Sequence, residues 1–193
     1  MIILASASPR REALLQALWV EHRVLPSLVD EASPFDGTTA GRAEALALRK
    51  ATEVVARMGE GLVLGADTIV ECGGCLLGKP KDRDEARRFL CLLSGRSHLV
   101  VTGLALVQAS DGRTEVGHEV TEVRMRALGD AEIDAYVQTD EPFDKAGGYA
   151  IQGAAEGFIE GIKGSFTNVV GLPLGRLRTL LLRFGIDPFC RQV

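Results

Sequence analysis

Apolar residues recur with a helical period in several stretches of the chain, and polar residues fill the opposite faces. From Ala40 to Met58 the apolar positions lie three or four residues apart, which predicts a long amphipathic helix. Ser8 followed by Pro9 is typical of a helix N-terminus. The predicted helices cover residues 9–18, 40–58, 82–94, 131–139 and 173–184. The inward face of the first helix is predicted to carry Ala13, Leu14, Ala17 and Leu18.

Short blocks of branched apolar residues separate these helices. Leu62–Val70 lacks clean alternation, so we expect a strand buried on both faces. Gly73-Gly74 suits a two-residue hairpin turn, and the turn at residues 110–112 divides two longer strands. Strand–helix units and long hairpins together predict an α/β fold with a mixed sheet. The predicted strands cover residues 2–5, 22–25, 62–70, 75–77, 97–107 and 115–126, and residues 147–171 are expected to form short strands and tight turns.

Composition and charge exclude several classes of protein. The 193 residues, with 46% hydrophobic and 25% charged, are typical of one globular folding unit spanning residues 1–193. The longest apolar run, Ser97–Val107, is too short to cross a bilayer as a helix. The net charge of −4 argues against a nucleic-acid partner. Met1–Ala5 is expected to be a strand without a basic leader, which predicts a cytoplasmic protein.

Several conspicuous residues are assigned structural roles. The four cysteines are too few and unevenly spaced for a disulfide framework, so reduced thiols are expected. Cys72 and Cys75 have zinc or redox spacing, but no second pair exists. They would face each other across a hairpin turn, where oxidation could join them. His98 is expected to be a hydrogen-bonded scaffold residue. Trp19, Phe184 and Phe189 are expected to be packing residues.

Asp67 stands in the middle of the apolar strand Leu62–Val70. A buried carboxylate is costly unless it is paired or bound to a metal, so a buried Asp67 requires a partner. The alternative is a strand-end aspartate that turns to solvent or accepts a local hydrogen bond. The pattern of residues alone leaves both open.

Triphosphate hydrolysis needs cations around the phosphates, a divalent metal held by carboxylates, and a base near the attacking water. Arg10 and Arg11 lie beside a predicted helix N-terminus, where free backbone donors also favour anions. Glu31 and Asp67 are candidates to hold a hard cation. Taken singly, each basic residue also fits an ordinary solvated surface. The candidate phosphate cations are Arg10, Arg11, Lys50 and Lys79.

Ordered motifs along nearly the whole chain resemble the Maf-like nucleoside triphosphate pyrophosphatases. They begin with the loop at residues 4–11 after the first strand, and the rest keep the order found in that family. The other matching segments are Asp30-Glu31, Arg49-Lys50-Ala51, Gly65-Ala66-Asp67-Thr68, Gly78-Lys79-Pro80, Ser94-Gly95-Arg96-Ser97-His98, Thr102-Gly103, residues 140–147, Ile151-Gln152-Gly153 and Val170-Gly171-Leu172-Pro173.

The resemblance implies a specific fold and reaction. The fold would be an elongated, twisted mixed sheet flanked by helices, with two lobes and a cleft, as in Maf and inosine-triphosphatase proteins. The reaction would be cleavage between the α- and β-phosphates, with Mg²⁺ or Mn²⁺. Asp67 would be the general base and a metal ligand, and Glu31 the second metal carboxylate. The implied substrate contacts are Ser8, Arg10, Arg11, Lys50, Thr68, Lys79 and Gln152.

Within the family, Arg10, Thr68 and Gln152 resemble the branch that acts on dTTP and UTP, and modified pyrimidine nucleotides are further candidate substrates. The loop, strand and Ile-Gln-Gly motifs differ from those of the 7-methyl-GTP branch. A purine house-cleaning pyrophosphatase of the ITP or XTP type is an alternative that Thr68 and Gln152 disfavour. A nucleotide-binding regulator of cell division or septum formation is a second alternative. The resemblance also implies a homodimer.

Overall fold

The computed structural model describes residues 1–31 and 35–189. Within these residues, strands and helices are distributed along the whole chain and three short 3₁₀ turns precede the last strand. The strands are β1 (Ile2–Leu4), β2 (His22–Val24), β3 (Leu62–Cys72), β4 (Cys75–Leu77), β5 (Ser97–Gln108), β6 (Thr114–Met125) and β7 (Ile159–Lys163). The helices are α1 (Pro9–Ala17), α2 (Thr39–Met58), α3 (Arg83–Leu93), α4 (Asp130–Tyr136), α5 (Phe166–Val170) and α6 (Leu174–Arg183).

The seven strands form one sheet in the order β2-β1-β3-β5-β6-β7, and β4 pairs with β3. Strand β1 is parallel to both β2 and β3. Parallel neighbours require a crossover connection, and here α1 and α2 lie in the two connections. Strand β4 is antiparallel to β3, and β7 is antiparallel to β6. The predicted α/β fold with a mixed sheet is therefore confirmed.

Capping residues place the helix ends close to where the sequence predicts them. The side chain of Ser8 accepts a hydrogen bond from the amide of Arg11, and Asp82 caps α3 in the same way through the amide of Glu85. Helix α2 ends at Gly59, which adopts the left-handed conformation with φ of 71°. Within the described residues, no helix combines the length and apolar character needed to cross a membrane.

The segment between residues 147 and 171 differs from its prediction. It contains one strand, β7, but also the short helix α5 and a 3₁₀ turn at Ala154–Phe158. Gly147 and Gly148 have φ of 75° and 71°, values that allow the chain to turn without a regular repeat. Such a turn leaves no hydrophobic period in the sequence, so pattern analysis could not separate helix from strand here.

The buried face of α1 is displaced from the predicted one. Leu15 is fully buried and Leu18 is 3% exposed, while Leu14 is only partly buried. Ala13 and Ala17, which were expected inside, are exposed. The larger leucine side chains contribute more apolar area per residue, so they occupy the core in place of the alanines.

Two of the three aromatic residues expected to pack are on the surface. Trp19 is 74% exposed and has φ of 57°, because it lies in the turn that follows α1. Phe189 is 65% exposed, and its ring lies 5.4 Å from the guanidinium carbon of Arg178. Phe184 packs partly buried against a core cluster, as expected.

The described chain divides into two compact units. Unit 1 comprises residues 1–67, 102–119 and 171 onward, and unit 2 comprises residues 68–101 and 120–170. Unit 1 contains two apolar clusters, one of which includes β1, α1 and α6 residues, while the other includes α2 residues. Unit 2 has its own cluster, built from residues of β3, α3, α4 and β6. The prediction of one folding unit over residues 1–193 stays a prediction.

Candidate active site

Asp67 has the partner that its buried position demands. It is only 6% exposed, and its Oδ1 accepts a hydrogen bond of 2.6 Å from Nζ of Lys50. The same ammonium donates a 2.6 Å hydrogen bond to Oε1 of Glu31. Because one nitrogen binds both oxygens, these two carboxylate oxygens are at most 5.2 Å apart. The side chain of Glu31 remains 46% exposed, whereas that of Asp67 is 9% exposed.

Lys50 reaches this position because it occupies the buried face of α2. The residues on that face are Ala43, Leu46, Ala47, Lys50, Ala51 and Val54, so the lysine takes a core position in an otherwise apolar stripe. Its ammonium would be costly there without anionic partners. Glu31 and Asp67 supply two, and the alternative of a solvated lysine is wrong for this residue.

Glycines allow α2 to approach the sheet closely. A Cβ atom at Gly65 of β3 would overlap the backbone carbonyl of Ala47, and one at Gly103 of β5 would overlap the backbone of Ala43. Gly65 and Asp67 lie on the same face of β3, since side chains alternate along a strand. The close contact of α2 with this face brings Lys50, one turn beyond Ala47, to the Asp67 carboxylate.

The loop before α1 presents Ser8 at the helix N-terminus. Its hydroxyl oxygen accepts a 3.4 Å hydrogen bond from the Arg11 amide, and its own amide donates to Oγ of Ser6 at 3.2 Å. The Ser8 hydroxyl hydrogen remains a donor that can point away from the helix. Arg10 lies half-buried in the first turn. These features keep the loop suitable for an anion, although its predicted contacts with phosphate stay predictions.

Arg11 connects three distant segments of unit 1. Its Nε donates to the carbonyl of Gly171 at 2.8 Å, and its NH1 donates to the carbonyl of Ala66 at 3.0 Å and to Oγ of Ser6 at 3.1 Å. Burial lowers the pKa of the guanidinium, while the carboxylates of Asp67 and Glu31 act in the opposite direction. Arg11 is therefore a scaffold residue of the loop as well as a cation near the two carboxylates.

The remaining predicted substrate contacts belong to unit 2. Thr68 follows Asp67 directly in β3 and is half-buried. Lys79 and Gln152 are exposed. The Lys79 loop is held at its start, because the amide of Gly147 donates a 3.0 Å hydrogen bond to the carbonyl of Gly78. All three side chains are therefore at least partly accessible to a ligand.

His98 has the structural role predicted for it. It is 2% exposed, and its Nε2 lies 2.6 Å from the hydroxyl of Tyr149. Burial lowers the pKa of His98 to about 4, so the ring is neutral at pH 7. The two rings meet edge to face with centroids 5.4 Å apart. A neutral, enclosed imidazole is suited to packing and not to proton transfer.

The hairpin cysteines lie as the sequence predicts. Cys72 pairs with Cys75 across a turn formed by Gly73 and Gly74, whose φ angles are 57° and 79°. Both thiols are free, Cys72 being buried and Cys75 exposed. Cys91 is also free, and Cys190 lies outside the described residues.

One residue with a clear structural part was given no individual role by the sequence reasoning. The carboxylate of Glu141 accepts hydrogen bonds from the amides of Ala154 and Ala155 at 3.0 and 3.4 Å. It also accepts one from the hydroxyl of Tyr136 at 2.9 Å. Glu141 was part of a matching motif, but the two amides that it accepts from lie 13 and 14 residues away and are backbone groups, which leave no signal in a sequence.

The donor set at Glu31 and Asp67 fits a hard divalent cation. Mg²⁺ is commonly bound by one or two carboxylates and completes its shell with waters and substrate phosphate oxygens. The described residues contain no group of three or more His, Cys, Asp or Glu side chains placed to hold a metal. A cation here would therefore depend on water and substrate for most of its ligands.

Comparison with known proteins identifies the family. The sequence model described as "Maf-like protein" matches residues 1–184. This chain belongs to the Maf-like proteins. The resemblance predicted from its motifs is thereby confirmed.

Similar proteins cover almost the full chain. It is 48% identical to the dTTP/UTP pyrophosphatase of Pelotomaculum thermopropionicum over 186 residues, which are 96% of this chain and 97% of the relative. Identity is 50% to the dTTP/UTP pyrophosphatase of Desulforamulus reducens, with the same coverage. It is 49% to that of Moorella thermoacetica, covering 98% of both chains.

A solved structure supports the fold alone. The Staphylococcus aureus Ham1 protein matches with a TM-score of 0.52 at 12% sequence identity, covering 95% of this chain and 98% of that one. At this identity the likeness carries no information about substrate.

Proposed function

We propose that this Maf-like protein is a nucleoside triphosphate pyrophosphatase that hydrolyses dTTP and UTP to the nucleoside monophosphate and pyrophosphate. The observation that carries the proposal is the buried Asp67 carboxylate, held by Lys50 beside Glu31. A burial of charge on this scale is expensive, and catalytic sites are where such arrangements concentrate. The names of the full-length relatives support the same substrates.

Asp67 acts as the general base in this proposal. The hydrogen bond from Lys50 fixes the orientation of its carboxylate, and its second oxygen can accept a proton from the attacking water. Lys50 uses two of its three N–H donors on the carboxylates, and the third can donate to a phosphate oxygen. Ser8, Arg10, Arg11 and Lys79 are the further phosphate contacts, with Arg10 also serving base selection.

A divalent cation, Mg²⁺ or Mn²⁺, belongs to the same proposal. Glu31 and Asp67 would hold it, and when bound it would offset charge on the phosphate oxygens. The exposed Glu31 side chain can reorient toward a cation more readily than the enclosed Asp67. Lys50 would then keep the two acidic groups close together before the metal and the triphosphate arrive.

Thr68 and Gln152, with Arg10, are proposed to select the pyrimidine base. A glutamine amide offers both a donor and an acceptor, which match the O4 and N3–H edge of uracil and thymine. Both groups would be used only if the amide is held in one orientation relative to the base.

The test measures pyrophosphate release by purified protein from dTTP, UTP, CTP and ITP, with Mg²⁺, with Mn²⁺ and with excess chelator. We expect dTTP and UTP to give the highest kcat/KM, and the chelator to abolish turnover. Asp67→Asn should lower kcat by about 10²–10⁴-fold, the usual contribution of a general base. The matched control is Asp134→Asn, which removes an exposed carboxylate bound by Arg87 and should retain activity.

Each other outcome points to a different conclusion. Full turnover by Asp67→Asn would remove Asp67 from the mechanism. A preference for ITP would favour the purine house-cleaning enzyme. Nucleotide binding without any pyrophosphate release would favour a nucleotide-binding regulator of cell division. The cytoplasmic location, the absence of a nucleic-acid partner and the homodimer stay predictions, and sedimentation of the purified protein checks the last.

A further inference from the structure

Gln152 lies at the exposed tip of a tight turn in unit 2. The residues on either side of the tip, Ile151 and Ala155, are buried, so the turn is anchored in the core at both ends. Within the turn, the amide of Gly153 donates to the carbonyl of Ala150 at 3.2 Å. The orientation of the Gln152 amide therefore depends on what fixes residues 150–155.

The Glu141 carboxylate holds the outgoing side of the turn. One oxygen accepts from the Ala154 amide at 3.0 Å and the other accepts from the Ala155 amide at 3.4 Å. The carboxylate lies so close to the backbone that a Cβ atom at Gly153 would overlap it. Burial favours the neutral acid, but the hydrogen bonds from these amides and from Tyr136 outweigh it and lower the pKa of Glu141. Glu141 is thus an anion that accepts from both amides at pH 7.

Tyr136 connects Glu141 to the incoming side of the same turn. Its hydroxyl donates to Oε1 of Glu141 at 2.9 Å and interacts with the backbone amide of Ala150. The preceding residue, Tyr149, is fixed by its hydrogen bond with His98. Side chains from outside the turn therefore bind it on both sides of Gln152.

Glu141 itself is fixed from its own backbone. Nζ of Lys145 donates to the Glu141 carbonyl at 2.6 Å and also pairs with Asp144. The 3₁₀ turn at residues 141–144 ends at Lys145. A carboxylate whose backbone is fixed in this way makes a rigid support, which is what orienting a recognition side chain requires.

We propose that Glu141, assisted by Tyr136, is a positioning residue for nucleobase selection that holds the turn of residues 150–155 so that Gln152 presents its amide in one orientation. The inference rests on the proposed role of Gln152 in reading the base. Glu141 touches neither the phosphates nor the reacting water in this account. Its loss should therefore act on discrimination between bases and on KM, and should leave kcat almost unchanged.

The test uses Glu141→Gln, which keeps the size of the side chain. A glutamine replaces one accepting oxygen by an NH₂ donor, and this donor must face either the Ala154 or the Ala155 amide. We expect at least a fivefold loss in the ratio of kcat/KM for UTP over CTP, through a higher KM for UTP, with kcat for UTP within twofold of the native value. Without nucleotide, the amide hydrogens of Ala154 and Ala155 should exchange at least tenfold faster with solvent.

Controls separate a local effect from unfolding. Asp134→Asn removes a carboxylate from α4 of the same unit and should change neither the UTP/CTP ratio nor the exchange at residues 154 and 155. If Glu141→Gln does not fold, Tyr136→Phe replaces it, because this change removes only the hydroxyl bound to Glu141 and Ala150. The same two readouts apply to that variant.

A double-mutant comparison with Gln152→Ala separates the positioning role of Glu141 from the base-reading role of Gln152. If Glu141 acts through Gln152, the double variant has the same UTP/CTP ratio as Gln152→Ala alone. If Gln152→Ala leaves the ratio of the native protein unchanged, the proposed role of Gln152 fails. If Gln152→Ala removes discrimination but Glu141→Gln does not, the positioning role of Glu141 is overturned and that of Gln152 stands. Multiplicative losses in the double variant would also overturn it.

Discussion

Replacing Lys50 with methionine tests the electrostatic core of the site. Methionine has a similar length and suits the apolar stripe of α2, so the change removes the ammonium with little loss of packing. It leaves Asp67 buried without its cation, close to the second carboxylate at Glu31. We expect a large loss in the free energy of unfolding together with loss of turnover.

The size of the effect follows from the distances. At 2.6 Å and an effective dielectric constant of about 20, a pair of unit charges attracts by roughly 6 kcal/mol before desolvation is counted. The cost of burying both ions offsets part of this attraction. Removing one partner from such a pair then lowers the free energy of unfolding by about 3–5 kcal/mol, because the other charge stays buried.

The assay is urea unfolding at pH 7, followed by far-UV circular dichroism, since the single tryptophan is too exposed to report on the core. A double-mutant cycle adds Asp67→Asn, and the combined variant should be more stable than Lys50→Met alone. The matched control is Arg88→Met, whose exposed pair with Glu85 spans 3.7 Å and should be worth less than about 0.5 kcal/mol. A loss below about 1 kcal/mol for Lys50→Met, or strictly additive effects in the cycle, would refute the pairing.

Two further predictions concern the scaffold around the site. Lysine at position 11 cannot reproduce the two contacts of the Arg11 guanidinium with the carbonyls of Gly171 and Ala66, so Arg11→Lys should lower the free energy of unfolding by about 2 kcal/mol in the same urea assay. The control Arg10→Lys should lower it by less. Equal losses of unfolding free energy in the two variants would contradict the scaffold role of Arg11. Burial lowers the pKa of His98 to about 4, so between pH 6.5 and pH 4 the unfolded chain binds a proton that the folded protein does not. The free energy of unfolding should therefore fall by roughly 3 kcal/mol as the pH drops from 6.5 toward 4, and this loss is absent above pH 6.5. His98→Gln should flatten that part of the stability profile, and an unchanged slope would argue against a buried neutral ring.

The regular elements were predictable because their signals are local. Ser8 and Asp82 mark helix starts through their own side chains, and Gly73-Gly74 specifies a hairpin through the positive φ angles that glycine allows. The structure of residues 147–171 was not predictable in this way, because its turns are fixed by contacts with other segments. The face of α1 was misassigned because alanine and leucine both count as apolar in a pattern, and the burial of Leu15 and Leu18 leaves Ala13 and Ala17 on the outer side of the helix.

The site was predictable in part for a related reason. A carboxylate inside an apolar strand requires a partner, and that need is visible in the residues. The sequence did not predict that Lys50 is this partner, because it named Lys50 only as a candidate phosphate contact. The contacts of Arg11 are not visible in the residues, because its backbone acceptors at Ala66 and Gly171 lie 55 and 160 residues away. Any residue type offers a carbonyl oxygen, so no side-chain pattern identifies such a partner. The resemblance to Maf-like proteins implied that Arg11 contacts the substrate, but it did not indicate the scaffold role.

The missing side chain at Gly65 limits how this protein can evolve. Every substitution there adds a Cβ atom that overlaps the carbonyl of Ala47 and pushes α2 away from β3, whatever the chemistry of the new residue. Lys50 would move with the helix and leave Asp67. Random mutagenesis selected for activity should therefore recover no replacement at position 65, while the exposed Gly157, whose Cβ would meet nothing within 4 Å, accepts many. The absence of a Cβ atom at position 65 is therefore a condition for the contact between Lys50 and Asp67.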